Sequence, residues 1–321
     1  MSTEGRLLKP SSLPSSLWDS ANGVLNLPRA LAETYERLVE RHGLRELATM
    51  RDAKNPPVGG LDQERSDQHF AQAFDGSCAR AQLALLDPKN DAPRASNAFI
   101  SSLAGNTTSL TDSPCGAGAA AFSFLTTVAE LRAEKILPRE PLHIYLIGAE
   151  LSGPARAYAQ EMLVELRSAL EEQAIFVKAE WLEWDVTSAL SNTDLVQRMT
   201  LTSEHSARRL LVIANFNAFL EKAGKKKEAK PQLEELLRHS SGHNSMAIWI
   251  EPDMNPATVG LFPWLRELLK GTWRLFAREH SDESGSDPLP RSAARFRLPL
   301  LPDKTARVRL AVVAIDLDRA R

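Results

Sequence analysis

Short apolar runs alternate with amphipathic stretches through most of the chain after residue 108. The runs lie at residues 109–112, 142–149, 175–183, 209–216 and 246–251. The run at 142–149 (LHIYLIGA) is continuous enough to be a strand buried on both faces. The stretch after it predicts an amphipathic helix with Ser152 as its N-cap. The buried stripe of that helix would consist of Tyr158, Met162, Leu163, Leu166 and Leu170. Strand–helix alternation of this kind predicts a parallel sheet with right-handed crossovers.

The pattern changes near the end of the chain. Residues 273–278, 294–298 and 307–317 have strand patterns without long helices between them. This arrangement predicts antiparallel strands added to the parallel sheet. The expected fold class is therefore α/β, with a Rossmann-like, doubly wound, mostly parallel sheet and an antiparallel C-terminal edge.

The first 95 residues have a different character. Residues 1–26 are polar and rich in Ser, Pro and Gly, and we expect an extended lead-in with local anchors such as Trp18. Helices are predicted from Pro28 and over 66–86, with a loop at 51–63 between them. Their apolar stripes contain Leu31, Tyr35, Leu38 and Val39 in the first helix, and Phe70, Phe74, Cys78 and Ala81 in the second. We expect a helical N-terminal region at 1–95, a candidate surface for a protein partner, and a Rossmann-like domain at 96–321.

Composition bears on the expected location and partners of the protein but not on any reaction that it could catalyse. The chain has 321 residues, of which 43% are hydrophobic and 25% charged, and a formal net charge of −2. This balance exerts no global attraction for nucleic acid. Two cysteines make no disulfide framework, so a cytoplasmic location is expected. No stretch is apolar enough to span a bilayer, and we expect no contact with a membrane.

Residues 110–125 (LTDSPCGAGAAAFSFL) carry the first sign of a ligand site. An apolar run ends at Asp112, a turn follows at Cys115, Gly116 and Gly118, and a helix opens on three alanines. Glycine removes the side chain that would keep a ligand from the backbone, and a helix N-terminus favours anionic groups. The segment therefore predicts a strand, a ligand-binding turn and a helix.

Polar residues lie at the ends of all five predicted parallel strands. They are Asp112, Glu150, Asp185, Asn215 and Glu251. In an open α/β sheet, ligands bind outside the carboxyl ends of the strands. Glu150 could accept hydrogen bonds from ribose hydroxyls, although it follows Gly118 by more than the roughly 20 residues that dinucleotide folds show. Asp185 could bind an adenine amino group, with Trp181, Leu182 or Trp184 against the ring, or it could mark a strand edge with a helix N-cap.

The D-x-x-x-G-x-G pattern at 112–118 resembles motif I of the class I S-adenosylmethionine-dependent methyltransferases. The polar strand ends and the late antiparallel strands resemble that family too. The resemblance implies S-adenosylmethionine as cofactor. Asp112, Gly116 and Gly118 would then surround its methionine part, Glu150 would hold the ribose, and Asp185 would lie by the adenine. The expected cofactor site also includes Cys115, Leu151 and Asn215, the last of these next to the methyl group.

A narrower resemblance concerns methyltransferase-like factors associated with assembly of the mitochondrial small ribosomal subunit, and their bacterial relatives. It is carried by Glu251-Pro252 after a strand, a predicted helix at 256–269, TWRLFARE, and DKTARVRLAVVAIDLDR. It implies RNA or a ribonucleoprotein as methyl acceptor. In the segment 112–118, Pro114 stands where motif I usually has a glycine. Residues 278–295 contain no cysteine, so the family's metal-binding cluster is not carried over.

Two other functions stay open on the sequence. A non-catalytic member of the fold could act as an assembly or interaction subunit, and a nucleotide-dependent oxidoreductase is the third possibility. Cys115 is expected to pack rather than to act as a nucleophile, and His239 and His243 are not expected to bind a metal. The lysine-rich segment 222–230 is expected to be a solvated, mobile loop rather than a phosphate contact. No catalytic residue can be named, since Asn215 lacks the Pro-Pro-aromatic run of enzymes that methylate exocyclic base nitrogens.

Overall fold

A computed structural model describes residues 5–51, 57, 59–253, 264 and 290–318. The helices are α1 (Arg29–Arg41), α2 (Arg45–Thr49), α3 (Gln63–Leu86), α4 (Pro93–Leu103), α5 (Ala119–Ala133), α6 (Gly153–Glu172), α7 (Ala189–Ser203), α8 (Asn217–Lys222) and α9 (Lys226–Ser240). The strands are β1 (Trp18–Asp19), β2 (Val24–Leu25), β3 (Asn106–Asp112), β4 (Leu142–Ala149), β5 (Ile175–Leu182), β6 (Arg208–Ala214), β7 (Ser245–Pro252), β8 (Arg291–Leu298) and β9 (Leu301–Asp316).

These strands form one nine-stranded sheet in the order β1-β2-β8-β9-β7-β6-β3-β4-β5. The five strands from β7 to β5 run parallel to one another. Strand β9 lies between β7 and β8 and is antiparallel to both. The structure thus confirms the expected α/β fold class. The chain runs outward from β3 through β4 to β5 and then returns to place β6 on the other side of β3.

Each face of the sheet buries its own apolar cluster. Helices α1 and α3 to α6 cover one face, and α7 to α9 cover the other. Successive residues of β4 show the two faces clearly, because Leu146 joins the first cluster and Ile147 the second. This alternation explains why the run at 142–149 is apolar without a polar interval, and it confirms that β4 is buried on both faces.

The N-terminal segment contributes to the same sheet. Strand β2 pairs in parallel with β8, and β1 pairs with β2. Trp18 in β1 is buried, as expected of an anchor. Residue 95, where the sequence suggests a domain division, lies within α4, and residues on both sides of it share the first cluster. The two short strands were not predicted, because two residues show no periodicity. Helix α4 was also missed, although Ala95, Phe99 and Leu103 form a buried apolar stripe on it.

The lysine-rich segment at 222–230 is not a loop, and that expectation was wrong. It contains the last residue of α8 and the first turns of α9. Lysine, glutamate and alanine favour helix, and Ala229 and Leu233 anchor α9 in the second cluster. The predicted helix at 256–269 and strand at 273–278 lie outside the described residues, apart from residue 264. None of the helices in the described part of the chain is long and apolar enough to cross a membrane.

Candidate ligand site at the carboxyl edge of the sheet

Asp112 ends β3 at the point where the strand order reverses. Its side chain is 1% exposed. Oδ2 accepts a hydrogen bond of 3.2 Å from the backbone N–H of Ala121, in the first turn of α5. Oδ1 is buried without a hydrogen-bond partner among the described residues. Burial and the nearby charge of Glu150 raise the pKa of Asp112 to about 7, against the effect of the Ala121 N–H. The site therefore holds a carboxyl group with an unused acceptor.

The turn after β3 presents backbone rather than side chains. Gly116 and Gly118 have φ values of +53° and +81°, which favour glycine. A Cβ on Gly118 would lie 2.2 Å from the ring of Phe122. A Cβ on Gly116 would have no atom within 4 Å. The first glycine of the turn thus borders open space, while the second is needed for packing of α5 against the turn. The Ser113–Pro114 peptide bond is cis.

Glu150 connects this turn with the start of α6. Its Oε2 accepts a hydrogen bond of 3.0 Å from the N–H of Gly116. Its Oε1 accepts one of 2.9 Å from the N–H of Ser152, whose hydroxyl caps α6 by accepting from Ala155. Ser152 is therefore confirmed as the N-cap. Burial raises the pKa of Glu150, although these N–H groups act in the opposite direction. The side chain of Arg156 donates to the carbonyls of Glu150 and Leu151 and so fixes the loop behind the carboxylate.

Cys115 fills the space between the turn and β4. Its N–H donates to the carbonyl of Ala149 at 2.9 Å, and its Sγ lies 3.2 Å from where a Cβ on Gly148 would be. Burial, with the charges of Asp112 and Glu150, raises the pKa of the thiol well above its usual value. The thiol stays protonated at neutral pH, so it cannot serve there as a thiolate nucleophile.

Asp185 lies three residues beyond the end of β5 and forms its hydrogen bonds locally. Its Oδ1 accepts from the N–H and the hydroxyl of Thr187, at 2.9 and 2.8 Å. Burial alone would raise its pKa, but these two donors lower it below the usual value. The helix N-cap is Ser188 rather than Asp185. Trp184 is buried in the second cluster, whereas Trp181 packs over Gly148 and keeps part of its surface exposed.

Asn215 follows β6 directly and adopts a left-handed conformation, with φ of +57°. Its N–H donates to Ile250 in β7, and its Oδ1 accepts from Arg80 Nη1 at 2.7 Å. Glu251, near the end of β7, accepts three hydrogen bonds on Oε1. They come from the N–H groups of Phe216 and Asn217 and from the indole of Trp249, at 2.7 to 2.9 Å. Burial raises the pKa of Glu251. This carboxylate thus fixes the loop in which Asn215 lies.

No family model and no curated protein matches this chain.

The structure connects some of the expected site residues and leaves others separate. A hydrogen bond joins Glu150 to the glycine turn, and Asp112 lies close enough to Glu150 for their charges to interact. Asn215 is linked to Arg80, and Asp185 to its own turn. His239 is in the last turn of α9, and His243 lies 3.6 Å from Asp318. Among the described residues, no group of three or more His, Cys, Asp or Glu side chains could hold a metal ion.

Sequence reasoning missed Arg80. It lies on α3, in the region that seemed to carry no chemistry, and it reaches a residue 135 positions further along the chain. The available signal was a second stripe on α3, beside the apolar one. That stripe consists of His69, Ala73, Gly76, Ser77 and Arg80. A histidine and an arginine eleven positions apart fall on one side of a helix, since eleven residues make about three turns.

Proposed function

We propose that this chain binds S-adenosylmethionine at the turn after β3 and transfers its methyl group to an acceptor. The observation that carries the proposal is the contact between the acidic end of β4 and the glycine turn after β3. Glu150 accepts a hydrogen bond from Gly116 beside the half-satisfied Asp112, where the strand order reverses. Ligands of open α/β sheets bind at such reversals.

The residues present fit the methionine end of this cofactor. Asp112 Oδ1 is a buried acceptor without a partner among the described residues, and an ammonium group would satisfy it. Gly116 leaves room for a ligand to approach the backbone. Cys115 and Gly118 fix the shape of the turn. These residues would therefore hold the methionine part.

The ribose and adenine would lie toward β4 and β5. Both oxygens of Glu150 already accept one hydrogen bond, but a carboxylate oxygen can accept two, so each could also accept from a ribose hydroxyl. Leu151 would line this side of the site. Asp185 would lie near the adenine, and of the neighbouring tryptophans Trp181 keeps exposed surface for the ring face.

The bound cofactor would supply an electrophilic methyl group on a sulfonium ion. The chain would contribute orientation and a suitable electrostatic environment, which are its main means of lowering the barrier. Buried carboxyl groups at Asp112 and Glu150 would favour a positively charged ligand. The proposed acceptor is RNA or a ribonucleoprotein, and the proposed location is the cytoplasm; both follow from the resemblance and the composition alone.

A matched pair of glycine variants tests the cofactor proposal. Gly116 and Gly224 both have positive φ, and a Cβ on either would meet no atom within 4 Å. Gly116→Ala and Gly224→Ala should therefore lose similar stability, about 1–2 kcal/mol for the left-handed backbone. Calorimetric titration with S-adenosylmethionine should show at least tenfold weaker binding for Gly116→Ala and no change for Gly224→Ala. Absence of binding by the folded wild type would exclude the proposal.

A non-catalytic, cofactor-binding subunit is the second candidate. The observation in its favour is that Asn215, the side chain expected next to the methyl group, already accepts a hydrogen bond from Arg80. Incubation with S-adenosylmethionine carrying a labelled methyl group separates the two candidates. Label in an RNA, DNA or protein fraction supports methyl transfer, whereas cofactor binding without label in any fraction supports the interaction subunit.

A further inference from the structure

Helix α3 lies across the edge of the sheet that carries the candidate site. Near its N-terminus, the hydroxyl of Ser66 is 3.1 Å from that of Ser152, beside Glu150. In its middle, the carbonyl of Cys78 accepts from Ser123 in α5 at 2.8 Å. Further on, Arg80 reaches Asn215 after β6. The helix therefore spans the site from the end of β4 to the end of β6.

One side of α3 stays partly open. Between residues 69 and 86 every residue is buried except the α3 stripe of His69, Ala73, Gly76, Ser77 and Arg80, all of which are half-buried. Three of these five side chains are small or absent. From His69 to Arg80 the stripe is about 16 Å long, at 1.5 Å per residue. The stripe has a cationic side chain, Arg80, at one end.

Arg80 forms fewer hydrogen bonds to described residues than Arg6, Arg51 or Arg132, which are also at least partly buried. Arg6 and Arg51 pair with Asp87 and Asp75, and Arg132 donates to three backbone carbonyls. Among the described residues, Arg80 forms a single hydrogen bond, to the neutral amide of Asn215, and no ion pair within 4 Å. Within the described part of the chain, its Nε is buried without a partner and its Nη2 has no hydrogen bond.

The guanidinium nevertheless keeps its charge. Burial lowers the pKa of Arg80 to about 10, and the charge of Glu251 opposes that shift, so the group is a cation at neutral pH. No hydrogen bond or ion pair within 4 Å joins Arg80 to Glu251 among the described residues, and Oε1 of Glu251 accepts from two backbone N–H groups and an indole instead. Burial lowers the pKa of His69, and the positive charge of Arg80 lowers it further. His69 is thus neutral at pH 7. Arg51, whose Nη2 would lie 3.7 Å from a Cβ on Gly76, is paired with Asp75, so Arg80 is the cation of this side of α3 that has no acidic partner among the described residues.

We propose that Arg80 and Asn215 form an oxyanion subsite beside the α3 stripe, which holds a carboxylate or phosphate group of the methyl acceptor. Asn215 fixes the guanidinium through Nη1, which leaves Nη2 and the second N–H of Nη1 available to the ligand. Two N–H groups of one guanidinium match the two oxygens of a carboxylate or phosphate. The assignment of this ligand as the acceptor rests on the proposed function; the affinity of the subsite for an oxyanion does not.

The test measures anion binding by stabilisation against urea, with sodium phosphate and sodium succinate as probes and sodium chloride at equal ionic strength as reference. An anion that binds only the folded state raises the unfolding midpoint with its concentration. We expect either probe to raise the midpoint of the wild type above that in chloride. Arg80→Gln should lose at least 80% of that rise. Arg80→Lys keeps the charge without the planar fork and should bind the active probe at least fivefold more weakly.

Arg65→Gln is the matched control, since Arg65 lies on the same helix and its charge is exposed. It should leave the response unchanged. A response to phosphate alone indicates a phosphorylated or nucleic-acid acceptor, and a response to succinate alone indicates a small carboxylic acid; both support the subsite. An equal response in wild type and Arg80→Lys would overturn it, as would no response in either. If Arg80→Gln does not fold by circular dichroism, Arg80→Lys decides alone.

Titration of the same variants with S-adenosylmethionine separates this inference from the proposed function. Arg80→Lys should bind the cofactor within threefold of wild type, because the subsite lies on the acceptor side. An Arg80-dependent anion response in a protein that does not bind the cofactor would keep the subsite and exclude methyl transfer. Cofactor binding without an Arg80-dependent response would exclude the subsite and keep the proposed function.

Discussion

Replacing Asp112 with asparagine should change how the stability of the protein depends on pH. The folded pKa of Asp112 is about 7, and its unperturbed value is 3.8. Between these values the carboxyl group is protonated in the folded state and ionised in the unfolded state, so folding takes up a proton. The contribution of Asp112 to wild-type stability therefore falls as pH rises from about 4 to about 7 and is constant above that range. At 1.36 kcal/mol per pKa unit, the full loss is about 4 kcal/mol.

Asparagine has the same shape and no charge. Its carbonyl can still accept from the N–H of Ala121, and its amide takes the place of the unpartnered Oδ1. That unpartnered amide costs about 1–3 kcal/mol at every pH. The difference in stability between Asp112→Asn and wild type should therefore shift in favour of the variant by roughly 3 kcal/mol between pH 5 and pH 8.

Urea unfolding at pH 5, 6, 7 and 8 measures this shift, because each midpoint and slope give a free energy of unfolding. Asp185→Asn is the control. Since the pKa of Asp185 is lowered, its carboxylate is ionised in both states over this range, and its difference from wild type should not vary with pH. A pH-independent difference for Asp112→Asn would show that Asp112 ionises normally and would refute the reasoning.

Three further outcomes are expected. Gly118→Ala should destabilise the protein by about 3 kcal/mol, because the added Cβ would collide with the ring of Phe122 in addition to straining the left-handed backbone. Urea unfolding measures this loss, and Gly224→Ala, which causes no collision, should cost about half as much. Ser152→Ala should cost about 1 kcal/mol in the same assay through loss of the α6 cap; no change would exclude that role. S-adenosylmethionine should bind about tenfold more tightly at pH 8 than at pH 6, because the carboxyl group of Asp112 must ionise to bind the ammonium group of the cofactor. Calorimetric titration at the two pH values measures this, and equal affinities would contradict it.

The parallel sheet could be predicted because each of its strands carries its own signal. Residues 142–149 are apolar throughout since both faces of β4 are covered, and the structure confirms the bounds of that strand. The strands β1 and β2 carry no such signal. Each has two residues, and β2 is held by pairing with β8 rather than by its own pattern.

The residues of the candidate site can likewise be divided into those that the sequence predicts and those that it does not. The position of Asp112 and Glu150 at the same edge of the sheet could be predicted, because the carboxyl ends of parallel strands share one edge and each residue directly follows or ends a recognisable strand. The role of Arg80 could not be predicted, because its partner Asn215 is distant in sequence and the two meet only after α3 has packed across the edge. The lysine-rich segment was misjudged for a related reason. Its charge suggested solvent, but the helix it starts is anchored by apolar residues further along.

The pairing of β2 with β8 has a consequence for the order in which the molecule can be built. Asn26, just after β2, bonds to Arg297 in β8, 271 positions further along the chain. During synthesis the N-terminal segment must wait for almost the whole polypeptide before its strand partner emerges. The parallel core from β3 to β7 can fold first, whereas closure of the outer sheet is the most non-local step and is expected to come last. Loss of the C-terminal strands would thus also remove a strand partner of β2, while Arg6 would still hold the N-terminal segment to Asp87 and Ser96.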